Sequence, residues 1–135
     1  MLFRSQVVGT VNYGIAFTAG HDNVAANNRV VSSGLLADGT RVPAQNVGMA
    51  NSDADAGGSM YNNTMHDNLI GWTCWSASCA AEGYRKDQYF PASPADYSTN
   101  AVLATGQITQ QTENNEYQLW MNKMASTGIA VGPSF

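Results

Sequence analysis

The apolar positions of this chain fall in short runs of period two. Tyr13, Ile15 and Phe17 alternate with Gly14, Ala16 and Thr18, and Val47 and Met49 alternate with Gly48 and Ala50. Such alternation puts successive side chains on opposite faces of an extended backbone, so strands are predicted rather than helices. The two runs are also copies. Asn12-Tyr13-Gly14-Ile15-Ala16 and Asn46-Val47-Gly48-Met49-Ala50 share the order Asn, apolar, Gly, apolar, Ala at a spacing of 34 residues. Each copy is followed by a polar turn and an Asn-Asn pair opening another β-type run, Asn27-Asn28-Arg29-Val30-Val31 and then Asn62-Asn63-Thr64-Met65. Gly20-His21-Asp22-Asn23, Ser32-Ser33-Gly34 and Asp67-Asn68 accept left-handed backbone and bond their own main chain at corners. The pattern predicts a coil of stacked short strands, each turn relying on its neighbours to bury its apolar face.

Two loops interrupt the coil: Leu35 to Gln45, with Asp38-Gly39 as a turn and Pro43 denying a ladder donor, and Asn51 to Ser59. After Trp72 the period is lost, and residues 73–111 read as an irregular covering segment rich in aromatic residues and holding Pro91 and Pro94. Residues 112–135 form a helix and tail: Thr112 suits an N-cap, Glu113 and Glu116 suit the positive end of the helix dipole, and Gly128 suits the stop. Tyr117, Trp120, Met121 and Met124 fall on one face, which predicts a cap lying over the apolar end of the coil. Residues 6–72 are then the repeating turns. Residues 1–5, Met1-Leu2-Phe3-Arg4-Ser5, read as a non-native addition, because GTG-CTC-TTC-CGA-TCT, the end of a common sequencing adapter, encodes them when GTG is a start.

Charge changes the picture by its scarcity. Only 12% of the residues are charged, the net charge is −4, and six Lys plus Arg are scattered along the chain. Nucleic acid is excluded as a partner, since phosphate binding needs a basic stripe. No apolar run reaches the length of a membrane span. An amide- and hydroxyl-rich surface suits sugars, and equally the plain wall of an exported stacked-strand protein. Cys74 and Cys79 read as a small loop disulfide of an exported chain, with unlinked thiols as the alternative; their spacing does not suit zinc.

Gly14 to Val31 and Met60 to Ile70, with their recurring Asn-x-apolar corners, resemble rungs of the right-handed parallel β-helix, pectate-lyase-like superfamily. The resemblance implies an all-β solenoid with a disulfide-pinned flank and a capping α-helix. It also implies a C-terminal fragment of an exported extracellular or periplasmic protein, its signal peptide lost with the missing N-terminus, acting as a monomer or as part of a longer chain. Polysaccharide is the implied partner, bound or cleaved, with a lyase or glycoside hydrolase centre upstream of Gln6 if the whole protein is an enzyme. The alternative is a non-enzymatic surface or adhesion module. If Tyr13, Ile15 and Phe17 point inward, the outward strip is Asn12, Gly14, Ala16, Thr18 and Asn46, Gly48, Ala50, Ser52, which lacks the acidic and basic residues of the resembled enzymes.

Candidate chemistry therefore falls at corners and on aromatic residues. His21 and Asp22, and His66 beside Asp67, offer groups for proton transfer, against a plainer role as turn formers. Arg29 is a candidate carboxylate or sugar clamp. Asp53 and Asp55 offer hard oxygen ligands for Ca²⁺, against a solvated acidic turn. Trp72, Trp75 and Tyr84 are candidates for stacking on sugar rings, against core or flank packing.

Overall fold

The computed structural model describes residues 1–10, 12–42, 47–53, 60–73, 87–92, 98–104 and 107–128. In chain order the described strands are β1 (Leu2–Phe3), β2 (Gln6–Val8), β3 (Tyr13–Phe17), β4 (Val24–Ala26) and β5 (Arg29–Ser32). They continue with β6 (Val47–Asn51), β7 (Thr64–His66), β8 (Leu69–Trp72), β9 (Gln88–Tyr89) and β10 (Ala101–Val102), followed by the helix α1 (Gln110–Ser126). The strands form three sheets with the orders β1-β4-β7, β10-β8-β5-β2 and β3-β6-β9. Every pairing within them is parallel.

The expected class, an all-β solenoid with a disulfide-pinned flank and an end cap, is corrected by this arrangement. The protein is a small α/β domain of three short parallel sheets and one C-terminal helix. In a solenoid each repeat touches only its neighbours. Here the last described element closes on the start of the chain: Gln6 Nε2, in β2, donates to the Glu116 carbonyl across 110 positions, and Lys123 Nζ donates to the Arg4 carbonyl across 119. Nor does α1 cover an end. It packs on β2 and β5, on the face of the second sheet opposite to Val7 and Val30. No disulfide is found among the described residues, and Cys74 and Cys79 themselves lie outside them.

The corners follow from residues that tolerate positive φ. Arg4, Asn27 and Asp67, at φ 53°, 57° and 55°, stack in one column, and Asp22 and Asn62, at 57° and 54°, in another. Asn and Asp enter this region at small cost, which frees the next residue to face inward. That next residue is Asn28 or Asn68 in the first column and Asn23 or Asn63 in the second, and Asn100 continues the first ladder. The Asn28 main-chain N–H and side-chain amide both donate to Asn68 Oδ1, each at 3.0 Å, and Asn68 repeats the pair of bonds to Asn100 Oδ1. Asn23 bonds Asn63 in the same way at the other corner. Asn28, Asn63 and Asn68 are buried, and the ladder satisfies main-chain groups that would otherwise be stranded where the strands end.

This ladder also corrects the alignment of the repeats. The 34-residue spacing holds for β3 on β6, where Tyr13 pairs with Val47. Asn28, however, stacks on Asn68 rather than Asn63, and Val24 pairs with Thr64. The loop between β6 and β7 is longer than the one between β3 and β4, so the sequence spacing grows to 40 residues while the vertical stacking stays constant.

The strip of small residues is also corrected: it is not an outward wall. A Cβ on Gly14 would lie 2.2 Å from Val30 Cγ1, and one on Gly48 2.7 Å from Ile70 Cγ2. All five residues of β6 are buried. The smallness of Gly14, Gly48 and Ala50 thus reflects the close approach of the second sheet. Val30 and Ile70 belong to the core cluster with Ile15, Ala25, Met49, Met65 and Trp72. Burial of a side chain of this size contributes about 1.5–3 kcal/mol.

Replacing Asn68 by Ala removes an acceptor shared by two buried donors, along with two further donated bonds. Leaving such donors unpaired costs about 2–4 kcal/mol in all, whereas Asn115→Ala on the exposed helix face stays within about 0.5 kcal/mol. Urea unfolding of both variants checks this, and equal midpoints would deny the ladder its role.

Candidate functional site

The helix is docked by polar groups. Thr109 is its N-cap, accepting from the Thr112 main-chain N–H while Thr112 returns the bond as a capping box. From there Gln110 donates to the Leu36 carbonyl, Ser33 Oγ donates to Glu113, and Lys123 reaches the Arg4 carbonyl at 2.9 Å. Between them Glu116, 2% exposed, takes two bonds from Arg29: Nε to Oε2 at 2.7 Å and Nη2 to Oε1 at 2.6 Å. Gln6 Nε2 adds a third bond to Oε2 at 3.2 Å. Hydrogen bonding to Glu116 raises the Arg29 pKa above its ordinary value, so the guanidinium is held charged. Arg29 is therefore an anchor of α1.

Residues 110, 113, 116 and 123 form a docking stripe about one position away from the apolar stripe of 117, 120, 121 and 124. The consequence is a helix on which Tyr117 stays exposed while Trp120 is half-buried. Tyr117 is 63% exposed, and its ring lies 6.2 Å from that of Trp120, tilted by 32°. Tyr117, the amides of Gln110 and Asn114 and the carboxylate of Glu113 face Val8, Leu35 and Ala37 across an open groove of about 600 Å³. A smaller hollow of about 120 Å³ adjoins it, sharing Val8 and Tyr117 and reaching Trp120, Gln6 and Glu116. One wall is made by the Leu35–Arg41 turn, an antiparallel bridge tightened by Asp38 accepting from the Thr40 N–H at 2.9 Å and by Gly39 at φ 84°.

Hydrophobic periodicity alone does not reveal the groove, because it places Tyr117 and Trp120 together on a buried face. The signal was present in the polar residues that share their side of the helix, Gln110, Glu113 and Asn114.

The other sequence candidates scatter. His21 Nδ1 lies 2.5 Å from Asp22 Oδ2, and the imidazole stacks flat on Tyr61, with centroids 4.2 Å apart and planes 8° apart. His66 Nδ1 lies 2.7 Å from Asp67 Oδ2. The two pairs do not occupy matching corners: the Asp22 N–H donates to the Tyr61 carbonyl, while Asn27 stacks on Asp67, so they sit at opposite ends of the first sheet's short strands. Trp72 is 2% exposed and belongs to the core. Asp53 is half-buried, and Asp55, Trp75 and Tyr84 lie outside the described residues. Among the described residues no cluster of three or more His, Cys, Asp or Glu side chains is placed to hold a metal ion. No described helix is long and apolar enough to cross a membrane.

No protein family, curated protein or solved structure matches this chain. The groove beside α1 must be read from its own chemistry.

Two measurements test the electrostatics. Glu116→Leu strands a partly buried guanidinium and should cost about 1–3 kcal/mol, discounted from the buried-pair range because Arg29 is 37% exposed; the double change Arg29→Met with Glu116→Leu recovers most of it. Urea midpoints of the single and double variants decide the matter. The Asp22 pKa is lowered, chiefly by its bond to His21 and then by Asn62, and the Asp67 pKa is lowered by His66 and Thr99. A folded-state value below the unfolded one adds stability above the ordinary carboxylate range and loses it as the pH falls through the folded value. Carboxyl ¹³C titration should place both midpoints below the usual Asp value, and His21→Ala should move Asp22 upward while leaving Asp67 in place.

Proposed function

We propose that this chain is a glycan-binding module of an exported protein, with the groove between α1, β2 and the Leu35–Arg41 turn as its binding surface. The observation that carries the reading is the exposed Tyr117 ring beside Trp120 on a groove lined by side-chain amides. A flat aromatic face offers the apolar C–H side of a sugar ring a stacking surface, and Asn and Gln side chains both donate to and accept from its hydroxyls. The sparse charge and amide-rich composition fit the same ligand class.

Binding fits this groove better than cleavage. Glycoside hydrolysis draws on two carboxyl groups with separate roles. Of the two carboxylates lining the described groove, Glu116 is committed to Arg29 and Gln6, which leaves Glu113 alone. Any cleavage by the whole protein would then be the work of residues outside the groove.

A panel of soluble oligosaccharides titrated by calorimetry tests the proposal. One or more should bind, and Tyr117→Ala should weaken that binding by about tenfold, consistent with the loss of one aromatic contact. Its stability should shift by no more than about 0.5 kcal/mol, since Tyr117 is exposed. Absence of binding to any glycan, or affinity indifferent to Tyr117, would favour the rival reading of a surface module without a sugar site.

A further inference from the structure

The charge of the groove narrows its ligand. Glu113 is the one charged side chain lining the larger hollow among the described residues. Its Oε2 receives Ser33 Oγ–H, while its Oε1 is shut from solvent and has no hydrogen-bond partner. A carboxylate so placed is little screened by water, and its potential extends into the hollow it lines. In the adjoining hollow, Glu116 is the charged lining residue, and its charge is balanced by Arg29.

Among the described residues no Lys or Arg lines the groove, and Arg41, exposed at the end of the wall turn, is not one of its lining residues. Arg29 has both Nε and Nη2 on Glu116, and Lys123, one turn beyond Trp120, is bonded to the Arg4 carbonyl. A ligand bearing carboxylates would bring like charge beside Glu113 with no Lys or Arg among the described lining residues to meet it. Hydroxyl groups, by contrast, offer hydrogen to the side-chain carbonyls of Gln110 and Asn114.

We infer, resting on the glycan reading above, that the groove selects uncharged glycans and rejects uronate polymers. The selectivity arises from repulsion as much as from fit, since a misplaced like charge discriminates more strongly than a lost contact. Glu113 is the residue that sets it.

The test compares each neutral oligosaccharide that binds the full chain with its counterpart oxidised to the carboxylate at C6. The oxidised form should bind at least about tenfold more weakly at low ionic strength, the gap closing as salt screens the repulsion. Glu113→Gln keeps the shape and removes the charge, so it should narrow the gap to within about threefold, with circular dichroism to verify folding. Equal or tighter binding of the oxidised form would overturn the selectivity and leave glycan binding standing. A gap unchanged in E113Q would trace the loss to the missing C6 hydroxyl and remove Glu113 from the role. If no neutral or oxidised glycan binds, the glycan reading fails and this inference falls with it.

Discussion

The stacked asparagines are the constraint on which the rest of the structure depends. Three short sheets meet at corners where main-chain groups leave one strand before the next begins, and unpaired groups at such buried places cost more than a lost contact. Asn28, Asn68 and Asn100 supply an acceptor to the N–H of the layer beside them and a donor to the main-chain carbonyls between layers. Their order is vertical, not sequential. Loops can therefore differ in length from one turn to the next while the layers remain in register.

The second sheet so formed presents Gln6 and Arg29 side by side on its outer face, and these two side chains position the helix. Polar docking has a consequence that apolar docking would not. A helix held by carboxylate, amide and ammonium contacts need not spend its aromatic residues on adhesion to the sheet. Tyr117 and Trp120 are left beside the groove, together with the side-chain amides of Gln110 and Asn114.

The same economy explains the groove's sign. Arg29 and Lys123 are engaged as anchors, and Glu113, which fixes the helix through Ser33, lines the groove as well. The electrostatic character of the surface is thus a by-product of how the helix is fastened.

Local features of the chain were legible from residue order. Period-two alternation marked β3 and β6, the copied pentapeptides marked their pairing, and Asp, Asn and Gly marked the corners, because each depends on backbone preferences acting over a few residues. The helix was legible too, although its N-cap is Thr109 rather than Thr112, with Thr112 as the reciprocal member of the capping box. Three things were decided only in the folded molecule. Which asparagine stacks on which depends on loop length, and which face of Gly14 and Gly48 is crowded depends on the approach of another sheet. Which side of α1 is buried was settled by Glu116 finding Arg29 across 87 positions, a polar pairing that hydrophobic periodicity cannot register. A stripe of apolar residues shows where a helix would hide from water, but a buried ion pair with satisfied hydrogen bonds can shift the buried line by about one position, which leaves Tyr117 exposed and Trp120, Met121 and Met124 half-buried.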